Sequence, residues 1–365
     1  MKAAVVRDAA LPAPLRALVA EVEAGLPARG FTPAAAGDPE VDLVVNATTL
    51  ENARPNYLRP DPSVFLATLV DSDGAIFADE TALKRATYAA LVKTMSNVVV
   101  HRVQAGSLGG RACFMTPELG FRTRPLGSAL ASEILDAVAP LAGARLVIAN
   151  RLDEDLPPAL HQGDDATRAL AAAGRRLAAL NLLPTVFDLK EVLTERDLRL
   201  VMKYFGLKQI SYGNLSARRD ANGFWMTGRG VDKANLARIG HDLLLVKGYD
   251  AATRTVLCSV PPGNDPTARV SVDAIEHHAI YRAVPEARAI VHVHAWIDGV
   301  PATLQSWPCG TQQLADEVAG LVLAAPDPSR AMIGLKNHGL TIVGRSLDEI
   351  FERIEGRLTQ EVPAL

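Results

Sequence analysis

His292 and His294 stand two apart in the apolar, β-branched run over 287–295. Such a run forms a strand, and strand side chains alternate faces, so the two imidazoles project together. Two neutral imidazoles on one rigid element can begin a metal site. The same pair could instead be hydrogen-bonded inside a core strand or at its end. His338 lies in Asn337-His338-Gly339, between apolar runs over 331–335 and 340–344. A tight turn supported by the glycine would present it as a third ligand, although a turn histidine can equally be a surface residue. Upstream, 271–284 has helical spacing, with Ser271 expected as its cap and Pro285 as its end. Its buried stripe is expected at 272, 275, 279, 280, 283 and 284. Asp273 and His277, four apart on another face, could look into one cleft. Asp273 is then a fourth ligand, a general base or both, or simply a first-turn acid favoured by the helix dipole. Glu276 and His278 read as solvated or interface side chains.

These residues need a frame. At about 150 residues per domain, 365 residues make roughly two domains. The chain is 48% hydrophobic and 22% charged, a globular composition that excludes wholesale disorder. Its net charge is -3 and both halves are near balance, which argues against nucleic acid or anionic lipid as partner. The opening apolar run is cut by Arg7-Asp8, and nothing approaches the ~18 apolar residues of a membrane span, so a cytoplasmic location is expected. Cys113, Cys258 and Cys309 are odd in number and far apart, which fits free thiols and argues against a thiolate zinc site.

The first half alternates strands (2–6, 41–46, 64–70) with helices (13–25, 78–94), the rhythm of an α/β layer fold. Further helices are expected at 129–141 and 166–182 around a strand at 145–149. Proline breaks the pattern at Asn181-Leu182-Leu183-Pro184-Thr185, so the domains are expected as 1–185, an α/β domain of Rossmann-like type, and 186–365. No GxGxxG or P-loop supports a nucleotide in the first. If that domain binds anything, the carboxyl ends of its strands are the place: Asn46-Ala47-Thr48-Thr49 and Asp71-Ser72-Asp73. Thr116-Pro117-Glu118-Leu119-Gly120 and His101-Arg102 are further polar points. Six of the eight histidines follow residue 240. The chemistry is therefore sought in the second half.

Taken together, the second half resembles the class II aldolase/adducin family. The resemblance rests on Gly213-Asn214-Leu215-Ser216-Ala217-Arg218, Met226-Thr227-Gly228-Arg229-Gly230, Asp273 with His277 and Tyr281, His292-Val293-His294 and Asn337-His338-Gly339-Leu340, in order over about 189–358. It implies an α/β/α sandwich around a largely antiparallel sheet, assembled as a homo-oligomer, usually a tetramer. It implies that His292, His294 and His338 hold a divalent metal, Zn2+ in most members and Mn2+, Co2+, Ni2+ or Fe2+ in others. The activity implied is that of a metal-dependent lyase, an aldolase or decarboxylase acting through an enolate or ene-diolate on a small anionic hydroxy- or keto-compound. A sugar-phosphate epimerase and a non-catalytic adducin-like module are the alternatives.

Three departures shape the expectation. Asp273 stands where aldolases of the family carry glutamate, as it does in the epimerases, and is the candidate acid/base. The substrate-binding set becomes Asn214, Ser216, Thr227, Arg229 and Ser271, with Arg229 supplying a planar cation for a carboxylate or phosphate. No tyrosine follows Tyr281, so a proton donor supplied elsewhere in the family by a tail tyrosine is expected from another part of the chain. Thr311, Gln312, Gln313 and Asp316 are further candidates for lining the site.

Overall fold

A computed structural model describes residues 1–54, 64–72, 74–118, 120–144, 146–147, 149–184, 187–205 and 211–363, with the backbone alone for 204 and 205. Asp73, Leu119 and Thr185, named in the expectations above, and Arg145 and Ile148 of the strand expected at 145–149 lie outside the described residues. The chain forms two units, 1–145 with 186–205, and 146–185 with 206–363.

The first unit contains β1 (Lys2–Arg7), α1 (Ala13–Gly25), β2 (Thr32–Pro33), β3 (Leu43–Thr49), β4 (Phe65–Asp71), α2 (Glu80–Thr94), β5 (Val98–Val103), β6 (Arg111–Met115), β7 (Phe121–Pro125) and α3 (Leu130–Val138). Its sheet runs β2-β1-β3-β4-β5-β6-β7. The first five strands are parallel; β6 and β7 return antiparallel. Every residue of β3 and β4 is buried, as covered parallel strands require. Asp79 caps α2 by accepting from the Ala82 amide at 2.8 Å, and Met95 ends the helix in the left-handed region with φ 56°. The strand ends are internally paired. Thr48 Oγ1 donates to Asp8 Oδ2 at 2.5 Å, and Arg102 pairs with the buried Asp71 at 2.8 Å. Gly120 N donates to Thr116 Oγ1 at 3.2 Å.

The second unit holds β8 (Ala149–Asp153), α4 (Asp165–Ala179), β9 (Asn214–Asp220), β10 (Gly223–Thr227), β11 (Leu243–Asp250), β12 (Thr255–Ser259), α7 (Ala274–Ala283), β13 (Ala289–Val293), α8 (Gln312–Ala324), β14 (Met332–Leu335), β15 (Gly339–Gly344) and α9 (Leu347–Ile354). The intervening α5 (Leu189–Val192) and α6 (Glu195–Phe205) belong to the first unit. The sheet order in the second unit is β14-β15-β13-β9-β10-β11-β12-β8, antiparallel except where β8 joins β12. Alternation along β13 sends Val291 and Val293 into one core with α4 and α9, and Ile290 into another with α7 and α8.

The boundary at 185 is corrected. Residues 146–185 belong to the second unit and 186–205 to the first. The apolar stripe of α4, Leu170, Ala173 and Leu177, is buried in the same core as Leu215 of β9 and Ile342 of β15. A strand expected at 145–149 lies instead at Ala149–Asp153; Leu146 makes only an isolated bridge to Thr311.

Two local expectations in α7 and the turn also change. Ser271 does not cap α7: Asp273 occupies the cap position, with no side-chain cap bond. The buried face of α7 includes Glu276 and His277, because both find polar partners on the sheet beneath. In the Asn337-His338-Gly339 turn the left-handed residue is Asn337, with φ 58°. Gly339 serves a different need, since a Cβ there would stand 2.2 Å from the Val293 carbonyl oxygen.

Candidate metal centre

His292 lies near the end of β13, in register with Asn214 of β9 on one side and Thr341 of β15 on the other. His294 follows just beyond the strand, and His338 reaches over from the β14–β15 turn. Glycines allow the approach from both sides: a Cβ at Gly213 would meet the His292 carbonyl oxygen at 2.6 Å, as one at Gly339 would meet that of Val293. The three rings converge, with centroids 5.1 Å (His292–His294), 4.7 Å (His292–His338) and 4.9 Å (His294–His338) apart. One nitrogen from each lies within 4.8 Å of the others.

The donor set fits a metal. His292 Nδ1 lies 3.0 Å from the Leu340 carbonyl oxygen, to which it can only donate. That fixes the tautomer and leaves the Nε2 lone pair, buried and without a partner among the described residues, facing the cluster. His294 Nε2 and His338 Nε2 face one another at 3.3 Å. Two nitrogens each about 2.0–2.1 Å from a shared tetrahedral ion stand about 3.3 Å apart. Burial holds His294 and His338 well below the usual imidazole range, and the neighbouring imidazoles add to it. Burial also lowers His292, against the opposing pull of Asp273. All three are therefore neutral at pH 7, the form that ligates. Tyr212 stacks on His294 with ring centroids 4.2 Å apart.

Around this cluster α7 lays three polar side chains on the sheet. Asp273 Oδ2 accepts from Asn214 Nδ2 at 2.6 Å, while Asp273 Oδ1 and Asn214 Oδ1 are buried without partners among the described residues. Glu276, expected as a solvated or interface side chain, is buried and accepts from Thr341 Oγ1 at 2.6 Å. Burial and the Asp273 carboxylate push it up to about 8. His277 Nδ1 lies 2.7 Å from Ser216 Oγ, which lies 2.9 Å from the Tyr281 hydroxyl; burial lowers His277 to about 3.

The remaining expected residues divide. Asp273 and Asn214 lie beside the histidines. Ser216 is fully buried in the His277–Tyr281 network, and Thr227 Oγ1 accepts from the Leu215 amide at 3.3 Å. Ser271 is buried, its amide donating to the Thr227 carbonyl at 3.1 Å. Arg229 follows β10, half-buried, with desolvation lowering its guanidinium. Thr311 caps α8, and Gln312 donates to Asp316 at 2.7 Å. Gln313 Oε1 is buried without a partner among the described residues.

The family model of the class II aldolase and adducin N-terminal domain matches residues 197–306. This segment matches the class II aldolase and adducin family. Among curated proteins, the methylthioribulose-1-phosphate dehydratase of Klebsiella pneumoniae (strain 342) is 26% identical over 175 residues, 40% of this chain and 79% of that one. A 4-hydroxy-3-prenylphenylpyruvate oxygenase/4-hydroxy-3-prenylbenzoate synthase of Streptomyces roseochromogenus subsp. oscitans is 35% identical over 103 residues, 23% of this chain and 37% of that one. Among solved structures, L-fuculose-1-phosphate aldolase from Thermus thermophilus aligns over 51% of this chain and 86% of that chain, at 22% identity and a TM-score of 0.33. His292 and His294 fall inside the matched segment, whereas His338 lies beyond its end.

Buried Lys233, whose Nζ donates to the Ser211 carbonyl oxygen, and buried Glu276 are not foreseen from the sequence. A lone lysine or glutamate in a polar stretch carries no spacing signal, because its burial is decided by partners distant in sequence.

Proposed function

We propose that this chain is a divalent-metal-dependent lyase acting on a small anionic hydroxy- or keto-compound, with His292, His294 and His338 as the metal ligands. The reading rests on the convergence of three neutral imidazoles with one tautomer fixed by the backbone. An imidazole set suits zinc, and iron or nickel after it. A bound divalent ion supplies Lewis-acid polarisation of a carbonyl or hydroxyl oxygen and stabilises the charge that develops there. Asp273 is assigned the proton transfer. Asn214 orients it through Oδ2, which leaves Oδ1 to accept a proton from the substrate or return one. Asn214 Oδ1 is a second polar atom for the substrate, and Arg229 a cation on the adjoining loop. The dehydratase relative and the family resemblance favour lyase chemistry without dividing carbon–carbon from carbon–oxygen cleavage.

Product masses divide them. Metal-loaded protein is incubated with methylthioribulose-1-phosphate, other ketose phosphates and a set of α-hydroxy and α-keto acids. Two fragments mark carbon–carbon cleavage, loss of water marks dehydration, and an isomer of unchanged mass would replace the lyase reading with an epimerase. Metal-loaded protein that turns over none of these compounds would contradict the reading.

A further inference from the structure

Lys233 opens a short 3-10 turn, Lys233–Asn235, capped by Asp232, whose Oδ1 accepts from the Ala234 amide at 3.0 Å. Its backbone is clamped beneath α4, where a Cβ at Gly174 would come within 1.9 Å of the Lys233 carbonyl oxygen. From that anchor the side chain runs inward. The residue is only 3% exposed, and Nζ donates to the Ser211 carbonyl oxygen at 2.6 Å. An ammonium carries three donors, and among the described residues this is its one hydrogen bond.

Burying a cation costs several kcal/mol unless partners answer it. Among the described residues Lys233 has no ion pair within 4.0 Å, and its hydrogen bond ties it to Ser211, whose chain neighbour Tyr212 stacks on His294 with ring centroids 4.2 Å apart. Asp273 favours its charged form, and the ammonium in turn disfavours protons on His292 and His294. Ser211 Oγ, Asn214 Oδ1, Asp273 Oδ1 and His292 Nε2 are all buried and without partners among the described residues. A lysine that merely pinned the Ser211 carbonyl would not need its charge, and a neutral donor would serve there at less cost.

We propose that Lys233 is the substrate-binding cation of the centre, its ammonium donating to an anionic oxygen, such as that of a carboxylate, held beside the histidines. This rests on the metal reading above and deepens it: the substrate presents a carboxylate or similar oxyanion next to the oxygen the metal takes, as a small α-hydroxy or α-keto acid does. Desolvation lowers Lys233 to about 8, so the free site carries the charge at pH 7 and an anion placed beside it holds the proton more firmly.

The test uses oxalate, a planar dianion, titrated calorimetrically into metal-loaded protein. Wild type is expected to bind it, and to bind less tightly as pH rises from 7 to 10 and the ammonium is lost. Lys233→Gln keeps a donor for the Ser211 carbonyl but no charge; it is expected to bind at least about ten-fold more weakly with its metal content unchanged. Lys233→Arg is expected to keep the affinity within a few-fold and to lose the alkaline decline. Equal oxalate affinity in wild type and Lys233→Gln would overturn the proposal, as would a metal-loaded wild type that does not bind oxalate. Should Lys233→Gln fail to fold, the pH profiles decide, and a Lys233→Arg decline as steep as that of wild type overturns the proposal. A wild type that takes up no metal defeats the metal reading itself, and metal content is measured first on every sample so that the two failures are told apart.

Discussion

Gly339→Ala tests whether backbone contact, rather than side-chain packing, sets the spacing of the histidines. Gly339 does not have a positive φ, so alanine is conformationally permitted and the perturbation is steric. The added Cβ would stand 2.2 Å from the Val293 carbonyl oxygen, 3.1 Å from its carbon and 3.0 Å from His294 Cα. Carbon–oxygen contacts settle at about 3.3 Å, so β13 and β15 must part by about 1 Å at the point where both His294 and His338 are attached. Metal–ligand distances tolerate only about 0.2 Å. Strain of this kind costs about 1–3 kcal/mol of stability, and metal affinity is expected to fall at least about ten-fold. Chelator competition measures the affinity and urea denaturation the stability. Gly320→Ala is the control, since a Cβ there meets nothing within 4 Å and the helix gains about 0.5–1 kcal/mol. A Gly339→Ala protein with wild-type affinity and stability would refute the reasoning.

Two pH effects follow from buried groups. His101 is fully buried, with Nδ1 2.8 Å from Thr87 Oγ1, and desolvation lowers it to about 4. The unfolded chain binds this proton first, so stability is intact above about pH 6.5 and declines by up to about 3 kcal/mol toward pH 4. Urea denaturation across that window should show a shallower decline for His101→Gln, and identical slopes would refute the assignment. Glu276 has the opposite sense: its carboxyl is raised to about 8, so the fold loses stability as pH climbs from about 4.5 through 8. Metal-free Glu276→Gln should therefore be more stable than wild type at pH 8 and closer to it at pH 5, by the same measurement; a variant that gains nothing at pH 8 contradicts the assignment.

Periodicity makes the frame of the site readable. The β-branched run around His292 is a strand, with His294 just past its end, and an apolar stripe at helical spacing marks α4. What that stripe packs against is not readable, because an amphipathic pattern says which face is covered and not by what; hence α4 lies in the second unit, not the first. Gly339 reads as a turn residue in sequence because its close neighbour, Val293, lies 46 positions away. Lys233 and Glu276 escape for the same reason. Their side chains are held by Ser211 and Thr341 through tertiary contacts, which leave no local signature. Ser216 and Thr227, expected toward substrate, are hydrogen-bonded within the interior, where the same small hydroxyls join strand to helix and strand to strand.

The most direct test of the metal centre is elemental mass spectrometry of protein purified without chelators or a histidine tag, beside a His292→Ala/His294→Ala variant. About one divalent ion per chain is expected in the wild type, from three ligands with one open side, and none in the variant. A wild type that carries no metal, and takes up none from zinc, manganese or iron, would contradict the account.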